Sequence, residues 1–214
     1  MWRLSHTVLE NSPCWPCRPC FELQTTSPGG GWSIQTLQAP LCAGTHLDAP
    51  RHCRGTMTVE CFPEAQWTSA WVYRLDNAED TPVISQKALQ LWWEHLGCPD
   101  CEGHWLLVQT GWGRYFEDPA RYRGLGPQPH AYPHLEAACA DWILERKFAG
   151  LAVDTLSPDS VEAFPLHEAL LPAGCWIVEN LRYEPALPVH CQILLCPIRW
   201  TGATETSLVV LAKP

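Results

Sequence analysis

The sequence predicts an α/β fold with more strand than helix, in one domain over residues 1–214. Three observations predict it. Short, nearly continuous apolar runs at residues 105–108 and 150–153 have the length and composition of buried strands. Two segments carry side chains at helical spacing: Ala88, Leu91, Trp92 and His95 in one, and Leu135, Ala138, Cys139, Trp142 and Ile143 in the other. A hydrophobic content of 46% against 17% charged belongs to a chain that buries a core rather than one that stays disordered.

Taken in order, the first thirty residues read as extended chain, punctuated by Pro13, Pro16, Pro19 and Pro28 and ending at Gly29, Gly30 and Gly31. Residues 32–38 alternate as a strand through Trp32, Ile34 and Leu37. A further extended segment leads through residues 42–48 and stops at Pro50. Residues 67–75 form the next strand. Ser85 caps a helix that runs to about Leu96 and ends at Gly97. Residues 104–110 are a buried strand, residues 134–148 the clearest helix, closed by Gly150, and residues 150–154 a second buried strand. A short helix surrounds residues 167–171, and strands follow at 175–179, 191–195 and 208–211. No repeat, low-complexity tract or linker divides the chain.

The formal net charge of −9, without a concentrated basic stretch, excludes nucleic acid as a partner, because phosphate binding rests on clustered Lys and Arg. No apolar run approaches the ~20 residues that span a bilayer, and no apolar signal core follows Met1. A soluble cytoplasmic protein without a membrane partner is the expectation. Without a secretion signal, the twelve cysteines read as free thiols or metal ligands rather than a disulfide framework. The twelve tryptophans point to an aromatic-rich core and pocket, and lean towards a flat aromatic substrate.

Chemistry concentrates in two places. On an extended strand, Cys42, Gly44, His46 and Asp48 share one face, with Gly44 leaving space between Cys42 and His46. An imidazole and a carboxylate on one face begin a site for zinc or manganese, and the two oxygens of Asp48 can bridge two ions. Pro50 then lets His52 lean back over the site. The other reading is a strand with a partly exposed polar face. The second place holds His167 and Glu179. An unpaired carboxylate ending an apolar strand is expensive to bury, so Glu179 either meets a cation or emerges into solvent. Spacing alone does not join the two places. Cys14, Cys17 and Cys20 form one further cluster and Cys98, Cys101 and His104 another; each offers structural zinc or loop thiols, and Cys17 and Cys20 are also candidates to line a pocket.

Residues 42–52, read as Cys-Ala-Gly-Thr-His-Leu-Asp-Ala-Pro-Arg-His, resemble a known signature, His-x-Gly-Thr-His-x-Asp-x-Pro-x-His. It is that of the cyclase family, which contains bacterial kynurenine formamidases and isatin hydrolases. Further segments are similar in the same order: residues 12–16 (Ser-Pro-Cys-Trp-Pro), 107–112 (Leu-Val-Gln-Thr-Gly-Trp), 153–159 (Val-Asp-Thr-Leu-Ser-Pro-Asp), His167, and 179–181 (Glu-Asn-Leu). The resemblance covers nearly the whole chain. It implies the swivelling β/β/α fold, a strand-rich, barrel-like mixed sheet with flanking helices, assembled as a homodimer or homotetramer. It implies His46, Asp48, His167 and Glu179 as metal ligands, His52 as the catalytic acid/base, and Trp15 in the aromatic wall of the substrate pocket.

The departure is Cys42, where the signature has histidine. A thiolate binds zinc at about 2.3 Å, but cysteine is the shorter side chain. Cys42 is thus either a ligand, favouring zinc over manganese, or a small core residue. One or two zinc ions, with manganese as the alternative, are the expected cofactor. The resemblance implies a metal-dependent amidohydrolase acting on a small aromatic amide, most like kynurenine formamidase, with cyclic-amide opening like that of isatin hydrolase as the alternative. The lost histidine leaves open a non-catalytic binding protein on the same fold.

Overall fold

The structure is a computed structural model that describes residues 1–14, 20–75, 82–124 and 132–214. Its strands are β1 (Trp2–Arg3), β2 (Glu22–Gly29), β3 (Trp32–Gln38), β4 (His46–Asp48), β5 (Trp67–Arg74), β6 (Val83–Ile84), β7 (Trp105–Gln109), β8 (His134–Leu135), β9 (Gly150–Val153), β10 (Trp176–Glu179), β11 (His190–Pro197) and β12 (Glu205–Lys213). The helices are α1 (Gln86–His95), α2 (Pro119–Tyr122), α3 (Ala138–Glu145) and α4 (Pro165–Leu170).

Seven strands close into a barrel-like ring in the order β12, β11, β5, β7, β9, β10, β4, and back to β12; β1 extends one edge of β12. Strands β5, β7, β9 and β10 run parallel, and the remaining pairings of the ring are antiparallel. Closure removes the free edges that an open sheet would expose.

The strand period of two sorts side chains onto two cores. Leu47, Trp105, Leu107, Ala152, Trp176, Val178 and Val210 fill the interior of the ring. Leu106, Val108, Leu151, Val153 and Ile177 face outwards, where Leu89 and Trp93 of α1, Trp142 and Ile143 of α3, and Leu166 and Leu170 of α4 cover them. Both faces of the parallel strands are therefore buried, which is why their sequences run almost uninterruptedly apolar. Helix α1 begins as expected, with the Ser85 hydroxyl accepting from Ala88 N at 3.2 Å.

Two expectations change. Residues 134–148 are not one helix: His134 and Leu135 pair in parallel with Val83 and Ile84, and helix α3 occupies only Ala138–Glu145. Residues 41–44 are a turn rather than extended strand, so Cys42 and Gly44 do not continue the face of His46 and Asp48. Gly44 has φ +72°, and a Cβ there would lie 2.5 Å from Val8 Cγ2, so the position needs glycine for both conformation and space.

Strands β2 and β3 form a separate hairpin, and every one of their residues is exposed, including Leu23, Trp32, Ile34 and Leu37. No helix among the described residues is long and apolar enough to cross a membrane.

Candidate metal centre

Strand β4 places the site on the outer face of the ring. Leu47 points into the interior core, so its neighbours His46 and Asp48 point out. Across one edge the register pairs His46 with Glu179 and Asp48 with Ile177; across the other it pairs His46 with Ser207 and Asp48 with Glu205. Helix α4 lies over this face and brings His167. The two places that spacing could not connect are therefore joined by sheet register and one short helix.

The four side chains converge in a repeated pattern. His46 Nε2 is 3.7 Å from Asp48 Oδ1 and 3.3 Å from Glu179 Oε2. His167 Nε2 is 3.7 Å from Asp48 Oδ2 and 3.3 Å from Glu179 Oε1. Each carboxylate thus offers one oxygen to each imidazole. All four residues are at most 8% exposed. Burial works to lower the pKa of both imidazoles, but the surrounding carboxylates outweigh it and hold them above the ordinary histidine value. The same contacts hold Glu179 below the usual carboxylate range despite its burial.

The ring nitrogens are oriented from behind. His46 Nδ1 lies 3.0 Å from Gly44 O, and donation there leaves Nε2 to face the carboxylates. Asn180, left-handed at φ 56° just after β10, donates to the same carbonyl at 3.1 Å and accepts from the Tyr122 hydroxyl at 2.9 Å. His167 Nδ1 donates to Asp159 Oδ2 at 2.6 Å, while Leu166 N and His167 N donate to the two Asp159 oxygens at 2.8 and 3.1 Å. Asp159 therefore caps α4 and fixes the His167 ring together. Asp159→Ala is expected to weaken metal binding about 10- to 100-fold, the usual cost of removing such a partner; competition with a chelator measures it, and unchanged affinity would remove this role from Asp159.

These residues fit a metal ion. Both oxygens of Asp48 and Oε1 of Glu179 are buried without a hydrogen-bond partner, a costly state that a cation resolves. With ligands at about 2.0–2.2 Å, neighbouring donors around tetrahedral zinc lie roughly 3.3–3.6 Å apart, close to the separations found. His46, Asp48 and Glu179 each offer a donor atom, all within 4.8 Å of one another.

A cavity of about 460 Å³ opens over the cluster, with Cys42, His52, Tyr132, Leu156, Phe164 and Asn180 in its wall. Pro50 starts a 3-10 turn, Pro50–Cys53, that turns His52 back over the site as expected; its ring centroid is 6.0 Å from that of His167. Cys42 lines the same cavity, but its thiol hydrogen-bonds that of Cys14, and that bond, burial and nearby acids push its pKa up. Cys14 and Cys20 pack beside it with Ala43 in a small buried cluster. Trp15 and Cys17 lie outside the described residues. Cys101 is buried and donates to Arg146 O at 3.5 Å, whereas Cys98 is exposed; His104 Nδ1 instead accepts from Trp71 Nε1 at 3.1 Å.

Two residues escaped the sequence reading. Asp159 was visible only as the end of a similar segment. Glu205 carried no local signal, and it stands 3.4 Å from His52 through Oε2 and Nδ1.

The chain is 24% identical to a kynurenine formamidase of Sphingopyxis alaskensis over 230 residues, covering 100% of this chain and 97% of that protein. It is 23% identical to an isatin hydrolase of Roseibium aggregatum over 226 residues, covering 95% and 84% respectively. Its fold is that of isatin hydrolase A from Labrenzia aggregata, solved bound to benzyl benzoate: TM-score 0.85 over 99% of this chain and 92% of that one, at 20% identity. The cyclase family's model matches residues 2–160, well over half the chain. By that match, on the fold and site just described, the chain belongs to the cyclase family.

Proposed function

We propose that the protein is a metal-dependent hydrolase that cleaves the amide C–N bond of a small aromatic substrate, most like a kynurenine formamidase. The observation that carries this reading is the group of buried, unpartnered carboxylate oxygens on Asp48 and Glu179, each carboxylate facing both His46 and His167. Zinc is the ion best suited to two imidazoles and two carboxylates, with manganese as its substitute. When bound, it supplies water activation at neutral pH and polarisation of a carbonyl oxygen.

The chain's own residues do the rest. His46, Asp48, His167 and Glu179 hold the ion at the floor of the cavity, and Asp159 and the Gly44 carbonyl fix the two rings. His52 stands at the cavity wall within reach of the same floor and carries the proton, taking it from the attacking water and returning it to the leaving nitrogen. Phe164 at the mouth and Tyr132 and Leu156 deeper in the wall offer apolar surface to one aromatic ring. Trp15 is proposed as a further part of that wall. The products are then formate and an aromatic amine.

A cyclic-amide substrate, opened in the manner of isatin hydrolase, uses the same groups; the close match in fold to isatin hydrolase A supports it as the second reading. Turnover of N-formylkynurenine and of isatin, followed by absorbance, separates the two. His52→Ala is expected to lower turnover by about 10²–10⁴-fold while metal content stays near that of the wild type; full activity in that variant would refute the assignment. We also propose that the protein assembles as a homodimer or larger homo-oligomer. The exposed β2–β3 hairpin supports this, because a lone two-stranded hairpin is marginal in water.

A further inference from the structure

Three thiols meet beside the cavity and take no part in the chemistry proposed above. Cys14 and Cys20 are each 1% exposed and pack with Ala43, Val8 and Phe21, whereas Cys42 is half-buried and lines the cavity wall. The Cys14 sulfur stands between the other two and accepts a hydrogen bond from each thiol. Gly44 N donates to Cys20 Sγ, and Arg123 donates to the Cys14 carbonyl. The Cys42 bond, helped by Cys20 and the Arg123 charge, holds the Cys14 thiol at about 6, below its ordinary value, against the opposing effect of burial. The thiolate is the nucleophilic form of cysteine.

We propose that Cys14 and Cys42 are a redox site, closed to a disulfide by a peroxide and reopened by a dithiol. The geometry that carries this is the direct contact of two thiols, one of them in the wall of a cavity that admits small molecules. Cys14, as the thiolate, attacks one peroxide oxygen: an S–O bond forms, the O–O bond breaks, and the departing hydroxide takes up the proton Cys14 had released. The Cys42 sulfur then attacks the Cys14 sulfenic acid: the S–S bond forms, the S–O bond breaks, and hydroxide leaves with the Cys42 proton as a second water. Two thiols are oxidised and one peroxide is reduced. Cys20 is the poorer partner, because it is buried and its sulfur already accepts from Gly44 N.

Cys42 sits in the turn that enters β4, two residues before Gly44. The Gly44 carbonyl fixes the His46 ring at 3.0 Å and accepts from Asn180 Nδ2 at 3.1 Å. A disulfide draws its sulfurs to about 2.05 Å, far closer than hydrogen-bonded thiols stand. Closing it pulls the turn towards Cys14 and displaces the carbonyl behind His46. Oxidation is therefore expected to weaken zinc binding and slow turnover, each by about tenfold or more. That consequence rests on the metal-dependent hydrolase reading; the disulfide itself does not.

Peptide mapping of the whole protein tests the site, after treatment with hydrogen peroxide, blocking of remaining thiols and cleavage after glutamate. The expected product is a disulfide joining residues 11–22 to residues 23–60, present in the wild type, lost on reduction, and absent from both Cys14→Ser and Cys42→Ser. A wild type that keeps both thiols overturns the proposal. So does a disulfide confined to residues 11–22, or a link that survives in either variant. Circular dichroism checks that the variants fold, and the wild-type map decides the matter if they do not. Chelator competition and turnover of N-formylkynurenine then compare the oxidised and reduced protein. Dithiothreitol is expected to restore both, and Cys14→Ser to keep its turnover under peroxide; an equal loss in that variant overturns the coupling to the metal site. A reduced protein that binds no zinc overturns the hydrolase reading and leaves a mapped disulfide standing.

Discussion

Asp48→Asn is expected to leave the protein without its tightly bound metal and to cut turnover by about a thousandfold or more. Asp48 faces both imidazoles, at 3.7 Å each, as Glu179 does at 3.3 Å, but in Asp48 both oxygens are buried without a hydrogen-bond partner. Asparagine keeps the shape but offers one neutral oxygen. Its amide group would face an imidazole nitrogen that must be free of protons to act as a ligand. The substitution leaves the pairing of β4 with β10 and β12 intact, so the fold should survive. Elemental analysis of the purified variant, beside turnover of N-formylkynurenine, measures both effects. Stoichiometric metal with normal turnover would sink the proposed centre.

Asp154→Ala should act on stability instead, lowering it by about 3 kcal/mol at neutral pH. Asp154 is wholly buried at the end of β9 and accepts from Thr110 N and Thr110 Oγ1 at 2.7 Å, from Gly111 N at 2.8 Å and from Gly113 N at 3.4 Å. Alanine would leave these donors buried with no acceptor. The turn they form has no room to adjust: a Cβ on Gly113 would lie 2.8 Å from Leu181 O and 2.9 Å from Tyr183 N. For a chain of this size the loss corresponds to roughly 6–12 °C in Tm, measurable by thermal unfolding. Burial raises the Asp154 carboxyl to about 6, against the pull of the Thr110, Gly113 and Gly111 donors. A folded pKa above the unfolded value of ~3.9 means that the wild type gains most from this group below about pH 4 and loses part of that gain as pH rises to about 6. The deficit of Asp154→Ala should therefore be larger at pH 4.5 than at pH 7.5. A variant with wild-type Tm at both pH values would refute the account.

Local patterns made much of the fold legible. Ser85 and Gly97 bracket α1 because capping is chemistry within a few residues. The apolar runs of β7 and β9 announced strands buried on both faces. His46 and Asp48 share a face because the strand period is two, and Pro50 stops the strand as its missing N–H requires. What failed was non-local. His134 and Leu135 suit the helical pattern that follows them, but pairing with Val83 and Ile84 draws them into a strand. Cys42 looked like the next residue up the His46 face until Gly44, against Val8, turned the chain. Glu205 sits among Thr204 and Thr206 with nothing to mark it, and only the register of β12 against β4 puts it beside Asp48. Asp159 is seven residues from Leu166 along the chain, and its part in fixing His167 depends on how α4 begins.

Closure of the ring by β4 and β12 has a consequence for how the protein is made. These two strands are far apart along the chain, and their pairing sets Glu205 across from Asp48 and Ser207 across from His46. Until β12 has been synthesised and is free to pair, that seam cannot form. A nascent chain can then assemble the neighbouring parallel strands, but it cannot yet complete the wall of the site. The wall of the proposed metal site is thus finished only when β12 docks against β4.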